Sequence, residues 1–189
     1  MIVRSSQPGG RRRGFTFIES MATIVVLGVL GSTASFLILD SVDDYTEASL
    51  QAQLHAEMSI ALDRALREIR KIELDSAASG VAPDITAMTV SSLQWEDSSA
   101  NAYQLVKVGT ELQLAVAGGG LATLLTDVSA LTIKIFDEDN IDLGTCAGAT
   151  CDPVRRISVD VTTQRNGVTQ SLRFKAFIRS TMSGAQGGA

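Results

Sequence analysis

The sequence predicts an α+β fold in which a long N-terminal α-helix, transmembrane in its first half, packs against an antiparallel β-sheet. Three observations predict it. An apolar run lies near the N-terminus, a helical period continues beyond that run, and apolar residues alternate with polar ones after about residue 80. With 189 residues, the chain has the size of one domain with a small extension.

The N-terminal segment 1–14 is basic, whereas the remainder of the chain is acidic. Residues 1–14 contain four arginines and no acid, and residues 15–189 contain 12 basic and 21 acidic residues, which gives −9. This asymmetry fits a topology in which the basic end stays in the cytoplasm and the rest crosses the membrane. It also argues against a nucleic-acid-binding body, because no Lys/Arg stripe is available to neutralise phosphates.

The segment 15–39 is predicted to be a membrane-spanning helix. Its residues 20–39 contain no charge, and 20 helical residues span about 30 Å, the thickness of a bilayer core. A secretory signal peptide cleaved after Ser32-Thr33-Ala34 is the competing interpretation. The apolar run continues beyond that site through residues 36–39, and Glu19 stands near the start of the run. We therefore expect a retained anchor.

The segment 40–80 is predicted to continue the same helix in amphipathic form. Apolar residues recur there at steps of three and four, as expected for one buried helical face. No proline interrupts residues 15–72, so a single helix from about Phe15 to Ile72 is expected. The apolar positions of the second half are Leu54, Met58, Ala61, Ala65, Ile69 and Ile72.

The segment 81–180 is predicted to be the antiparallel sheet. Residues 85–95 have the composition of a strand, residues 103–116 form a hairpin around Gly109-Thr110, and Asn166-Gly167 supplies a second turn. Alternation also marks strands at residues 131–135, 157–161 and 172–178. Strands joined by short turns after one long helix favour an antiparallel sheet. Residues 181–189 are predicted to be a flexible tail.

The two cysteines, Cys146 and Cys151, are close together in the sequence TCAGATC. They are either a disulfide or two thiols. A zinc site normally needs four ligands, and the one histidine, His55, is about 90 residues upstream. If the body is extracytoplasmic, a disulfide is the better interpretation.

Catalytic residues and cofactor sites are not expected. One histidine and two loop cysteines leave little for a Ser–His–Asp or Cys–His arrangement. Gly118-Gly119-Gly120 lacks the Lys-Ser/Thr of a phosphate loop and is expected to be a turn. The acidic loop Asp137–Asp142 raises the question of calcium, but Ile141 falls where an EF-hand needs an acid or amide. We therefore expect a non-enzymatic protein without a cofactor.

The segment GFTFIES, residues 14–20, resembles the N-terminus of type IV prepilins and type II secretion pseudopilins. It is preceded by arginines and followed by about twenty apolar residues. The resemblance implies that residues 1–14 are a cytoplasmic leader, cut after Gly14 by a prepilin peptidase. It further implies N-methylation of Phe15, and that Glu19 guides assembly by meeting the N-terminal amine of a neighbouring subunit.

The role of Glu19 is also intelligible from its charge. An ionised glutamate at membrane depth costs about 2.5–3.5 kcal/mol, so such residues usually have a partner. Cleavage after Gly14 creates the α-amine of Phe15, one helical turn from Glu19, within a subunit or between staggered subunits. Such a pair would favour one helix register. Alternatively, Glu19 lies at the headgroup level and is solvated.

The resemblance implies a minor pseudopilin, a structural subunit that copolymerises through its N-terminal helix in a type II secretion pseudopilus. It would help to initiate or cap the filament and assist protein export. Residues 124–140 also resemble minor pseudopilins. Phe36 stands about where many major pilins have a proline, which favours a minor subunit. A minor pilin for adhesion, motility or DNA uptake, or a membrane-tethered binding module, is the alternative.

The implied partners are other pseudopilins or pilins, the prepilin peptidase, an inner-membrane assembly platform and an exported protein, with no nucleic acid. The implied location is the bacterial inner membrane, with the leader in the cytoplasm and the C-terminal domain in the periplasm.

Overall fold

In a computed structural model, the structure describes residues 16–76, 78, 81–97 and 99–183. The chain divides into two compact units, Met1–Thr46 and Glu47–Ala189, and each is described by itself. The predicted processing residues Gly14 and Phe15 lie outside the described residues.

Helix α1, Phe17–Ile69, is one uninterrupted helix of 53 residues. This confirms the predicted long helix, which continues through Phe36 without a break but ends at Ile69, before the predicted Ile72 and well before residue 80. Its end tightens, because Lys71 N donates to Glu68 O at 3.0 Å and Ile72 N donates to Ile69 O at 3.2 Å.

The described part of the first unit, residues 16–46, is helical from Phe17 onward. All of its side chains are exposed except that of Ser20, which is half-buried. Helix α1 is long and apolar enough to cross a membrane, and its apolar N-terminal part accounts for this property. The exposed large hydrophobic residues include Phe17, Ile24, Val25, Leu27, Leu30, Phe36 and Leu39.

The part of α1 in the second unit, residues 47–69, buries one face. The predicted steps of three and four are confirmed, because every predicted apolar position from Leu54 to Ile72 is buried. Buried residues within the helix are Leu54, Met58, Ala61, Leu62, Ala65 and Ile69.

Six strands form the larger sheet of the second unit, all paired antiparallel in the order β5-β4-β3-β2-β1-β7. The strands are β1 Ile85–Thr89, β2 Ser92–Glu96, β3 Ala102–Val108, β4 Glu111–Ala115, β5 Ala122–Leu125 and β7 Cys146–Ala147. The predicted hairpin around Gly109-Thr110 is confirmed as β3 and β4. Residues 85–95 are two strands and not one, because a turn at Val90-Ser91 breaks the alternation between buried Met88 and buried Leu93.

Three longer strands form the second sheet in the order β6-β8-β9. They are β6 Val128–Phe136, β8 Arg156–Arg165 and β9 Val168–Phe177. The predicted turn at Asn166-Gly167 joins β8 to β9, and its φ angles of 51° and 84° are those of a hairpin turn that glycine and asparagine favour. Ten consecutive residue pairs then link β8 and β9 without a bulge.

The fold class is confirmed, with the antiparallel strands divided between two sheets. The sheets share one core with residues 47–69 of α1, around Met58, Trp95, Leu105, Ile133 and Val159. Two backbone bonds link the sheets: Ile133 N donates to Val90 O at 2.8 Å, and Val128 N donates to Thr110 O at 2.9 Å.

An ion-pair cluster fastens α1 to the smaller sheet within the second unit. Arg165 donates from Nη2 to Glu57 Oε2 at 2.9 Å and from Nε to Asp127 Oδ2 at 2.7 Å. The hydrogen bond from Arg165 is the main reason why the pKa of Glu57 lies below its usual value.

The last described element is α2, Arg179–Ser183. It covers the first residues of the predicted flexible tail, and residues 184–189 lie outside the described residues. The hydroxyl of Ser180 donates to Ile72 O at 2.9 Å, which joins this short helix to the chain just after α1.

Candidate functional site

The candidate site is the N-terminal turn of α1, where Glu19 lies in the first turn with an exposed side chain. Helix starts leave backbone N–H groups without intrahelical partners, so an acid in this turn is well placed. The nearest described neighbour before the helix is Thr16.

Thr16 and Glu19 bond to each other in both directions. Glu19 N donates to Thr16 Oγ1 at 3.3 Å, and Thr16 N donates to Glu19 Oε2 at 3.2 Å. The Thr16 hydroxyl also donates to Glu19 Oε2 at 3.2 Å. This reciprocal arrangement is a capping box, which satisfies two backbone donors at the helix start.

Sequence reasoning missed this role of Thr16. The signal was present, because Thr16-Phe17-Ile18-Glu19 has the threonine and glutamate spacing of a capping box before an apolar run. The charge of Glu19 suggested either a cation as its partner or solvation at the headgroup level, and neither interpretation includes Thr16. In the described residues Glu19 is a local acceptor, and both of its hydrogen-bond donors come from Thr16.

Hydroxyl side chains along the apolar part of α1 are satisfied by the helix itself. Thr23 Oγ1 donates to Glu19 O at 2.7 Å, Ser32 Oγ to Val29 O at 2.9 Å, and Ser35 Oγ to Gly31 O at 2.8 Å. Such bonds leave these hydroxyl donors paired without water, which suits a helix surrounded by lipid.

Cys146 and Cys151 form a disulfide, with their Cα atoms 5.2 Å apart. It closes the loop from β7 through a 3-10 turn at Gly148–Cys151. Cys146 pairs with Met88 of β1, and Cys151 is fully buried. The disulfide therefore holds this loop against the edge of the larger sheet.

Asp137 and Asp142, at the two ends of the acidic loop, direct their carboxylates to donors of the chain itself. Asp137 Oδ1 accepts from Ile141 N at 2.7 Å, and Asp142 accepts from Gly144 N and from Lys134 Nζ, each at 3.0 Å. The bonds from Gly144 and Lys134 hold the pKa of Asp142 below its usual value. Among the described residues, no group of three or more His, Cys, Asp or Glu side chains is arranged to hold a metal ion.

The remaining candidate residues, His55 and Gly118-Gly119-Gly120, lie on helix α1 and in a turn of the sheet domain. His55 is exposed on α1. Gly118-Gly119-Gly120 lies in the turn after β4, where Gly118 N donates to Ala102 O at 2.8 Å.

Comparisons with known proteins match the same end of the chain. Residues 9–35 match the family model described as the prokaryotic N-terminal methylation motif. No curated protein matches the sequence. A motif of this kind implies processing by a prepilin peptidase and assembly with other pilins, and together with the apolar helix it indicates a membrane-anchored protein. Residues 9–35 therefore carry an N-terminal methylation motif of the type IV prepilin-like kind.

Proposed function

We propose that this chain is a minor pseudopilin, a structural subunit of a type II secretion pseudopilus. The observation that carries the proposal is the placement of Glu19, within the matched motif, in the first turn of an uninterrupted apolar helix. The fold adds support, because a long helix followed by antiparallel sheets is a pilin-like arrangement.

Cleavage after Gly14 would change the charge around Glu19. It removes a leader with four arginines and creates the amine of Phe15, which directly precedes Thr16 in the sequence. Glu19 Oε2 already accepts both bonds from Thr16. Its second oxygen, Oε1, remains to accept from an amine, which can belong to a neighbouring subunit. Thr16 thus orients the carboxylate for this amine and lowers the free-energy cost of placing the carboxylate at membrane depth.

The exposed apolar side chains of residues 17–39 supply the surface for copolymerisation. In lipid they are solvated, and in a filament they pack against the same segment of neighbouring subunits. Association of apolar helices in lipid gains little from hydrophobicity and depends on packing and polar pairs. One Glu19–amine pair for each subunit would therefore select one register among many similar ones.

We further propose that the leader lies in the cytoplasm and the second unit in the periplasm of the inner membrane. The basic leader fits the charge asymmetry expected of this topology. The disulfide between Cys146 and Cys151 fits an oxidising compartment. The prepilin peptidase, the assembly platform and exported proteins are the corresponding partners.

The mass and N-terminal sequence of the protein extracted from its native membranes test the processing. We expect a chain that begins at N-methylated Phe15. A chain that begins at Met1 would contradict the proposal, as would one that begins at Ser35, which signal-peptide cleavage after Ala34 would produce.

A minor pilin of a type IV pilus shares the motif of residues 9–35 and is the second candidate. Deletion of the gene separates the two functions. Loss of secreted proteins from the medium with intact surface pili supports the pseudopilin, and loss of pili with normal secretion supports the pilin.

A further inference from the structure

Strand β9, Val168–Phe177, has one open edge within the part of the chain that the structure describes. It is the last strand of its sheet, and it pairs with β8 along its whole length without a bulge. The backbone N–H and C=O groups of successive residues point alternately to the two sides of a strand. Every second residue of β9 therefore presents its backbone groups to a further strand.

Hydrogen bonds at the two ends of the β8-β9 pair show which residues face the open edge. Ile178 N, directly after β9, donates to Arg155 O at 3.2 Å, so the even-numbered residues of β9 bond to β8. Gln164, the register partner of Thr169, donates instead to Asp127 O at 2.9 Å, on the side of β6. Among the described residues, no segment other than β8 bonds to the backbone of the five that face the edge, which are Thr169, Ser171, Arg173, Lys175 and Phe177.

The other sheet edges are shorter or already bonded. Strand β7 has two residues and begins at the disulfide, and β5 has four residues. The outer side of β6 bonds to the larger sheet, and Ile135 O accepts from Leu143 N at 3.0 Å. The ten-residue edge of β9 is thus the longest one left open in the described sheets. Such an edge is a template for pairing with another chain.

The two faces of β9 determine which kind of strand fits the edge. On the inner face, Leu172 and Phe174 pack against the core but are only half-buried. On the outer face, Arg173 pairs with Asp160, whereas exposed Lys175 has no ion pair within the described residues. Residues directly opposite each other on neighbouring strands share a face. The best match therefore alternates apolar residues, which cover Leu172 and Phe174, with acidic residues opposite the two cations.

We propose that β9 binds an extended acidic segment of another protein, which adds to the β6-β8-β9 sheet as a fourth strand. Apolar and acidic residues alternate in this segment. Bonds to the five outward-facing backbone positions supply affinity, and the alternating side chains supply specificity, as in other cases of strand addition. The binding goes beyond the proposed function and does not involve Glu19.

Charge argues against a second copy of this chain as the occupant. The strands at the sheet edges, β5, β6, β7 and β9, contain no acidic residue. Pairing of β9 with β9 of a second copy would bring together two strands that each carry two cations and no acid. Like charges on facing strands destabilise their pairing. The acidic strand must therefore come from a different protein.

A fluorescein-labelled peptide tests the proposal with the full chain in detergent at low salt. The probe has nine residues, with valine and glutamate in alternation, and fluorescence anisotropy measures its binding. The control peptide has the same composition, with the valines in one block and the glutamates in another. We expect the alternating peptide to bind about tenfold more tightly, because only this order presents one apolar face and one acidic face to a paired strand. Equal binding of the two peptides would overturn the proposal, and so would no binding of either.

Proline at the edge tests whether the backbone carries the contact. Ser171→Pro removes an N–H that faces the open edge and leaves the bonds to β8 in place. We expect it to weaken peptide binding about tenfold. Ser171→Ala is the matched control, because both variants lose the hydroxyl that bonds with Thr162 Oγ1 at 2.9 Å, and only proline loses the N–H. Equal binding by the two variants, with native unfolding curves from Trp95 fluorescence, would show that the peptide does not bind at this edge.

Reversal of the unpaired cation tests the charge match. Lys175→Glu is expected to weaken binding of the alternating glutamate peptide about fivefold and to strengthen binding of the same peptide with lysine in place of glutamate. Lys107→Glu, on β3 of the other sheet, makes the same change in net charge and is expected to alter neither affinity. The same loss in both variants would mean that net charge, and not β9, attracts the peptide.

Amide hydrogen exchange of the native chain, measured by NMR, gives a test that needs no variant. Saturation with the alternating peptide is expected to slow exchange at Ser171, Arg173 and Lys175, which face the edge. Leu172 and Phe174, whose N–H groups already bond to β8, are expected to keep their exchange rates. Equal slowing at all five residues would indicate general stabilisation and would overturn strand addition.

Two further results separate this contact from self-association and from the proposed function. If Ser171→Pro lowers self-association of the chain in detergent and leaves peptide binding unchanged, the occupant is a second copy and the proposal is wrong. Glu19→Ala is expected to block incorporation into the filament while peptide binding stays at the native level. Loss of peptide binding in Glu19→Ala would contradict the independence of the two sites.

Discussion

Residues 17–46 and residues 47–69 belong to one continuous helix, yet they are stabilised in different ways. The first part leaves its large apolar side chains exposed and satisfies its polar groups with local bonds, such as those between Thr16 and Glu19. The second part buries Leu54, Met58 and Ile69 in a core shared with two sheets. A helix can therefore continue without interruption from a part that exposes its apolar side chains to a part that buries them in a protein core.

The comparison predicts that equal truncations have unequal effects in the two parts. Ile69→Ala removes a fully buried side chain and is expected to lower the free energy of unfolding of the second unit by about 2–5 kcal/mol. Leu27→Ala, at an exposed position of the first part, is the matched control and is expected to leave that free energy of unfolding unchanged.

Trp95 is the one tryptophan of the chain and is buried in the same core, so its fluorescence during urea unfolding in detergent measures this difference. Equal losses for the two variants would show that the helix is stabilised in the same way along its length.

The disulfide is expected to give the next largest effect. Replacement of both Cys146 and Cys151 by serine releases a loop closed over a sequence separation of five residues. The loop-closure entropy predicts a loss of about 2 kcal/mol for the second unit. The same urea experiment on the oxidised and the reduced native chain measures it, and reduction is expected to reproduce the effect of the double replacement. Protease sensitivity of residues 17–46 in detergent is expected to stay the same.

Asp84 gives a smaller effect that depends on pH. Its pKa is raised from 3.8 in the folded protein by burial and by neighbouring acids, so its ionised form destabilises the fold. This penalty is present above the raised pKa and disappears as the pH falls to about 3.8, where the carboxyl is protonated in both states. Asp84→Asn is therefore expected to raise the urea midpoint at pH 7 and to match the native chain below pH 3.8. A difference that is constant between these pH values would contradict the assignment.

The predictable part of the fold followed from periodicity. The helix, the hairpin at Gly109-Thr110 and the turn at Asn166-Gly167 each leave a local pattern of apolar spacing or turn residues. The division into two sheets leaves no such pattern, because it depends on long-range bonds such as that from Ile133 N to Val90 O.

The functional residues also differ in whether the sequence could predict them. Glu19 could be found from its position in the motif, and Thr16 from its spacing to Glu19. The grouping of Lys134 and Lys175 on either side of Ser158 could not be predicted, because it arises only through the register of β6, β8 and β9.

The capping box gives the smallest expected effect on the second unit and the most local one. Thr16→Ala removes the hydroxyl that accepts from Glu19 N, and loss of a helix cap costs about 1 kcal/mol. Because this cost falls on the first turn of α1, we expect faster amide hydrogen exchange at residues 17–20 in detergent and an unchanged Trp95 unfolding curve. Thr23→Ala, whose hydroxyl bonds within the helix to Glu19 O, is the control and is expected to leave that exchange unchanged. Thr16→Ser keeps the hydroxyl and is expected to restore slow exchange, so that failure of Thr16→Ser would show that the threonine methyl group, and not the capping box, holds the first turn.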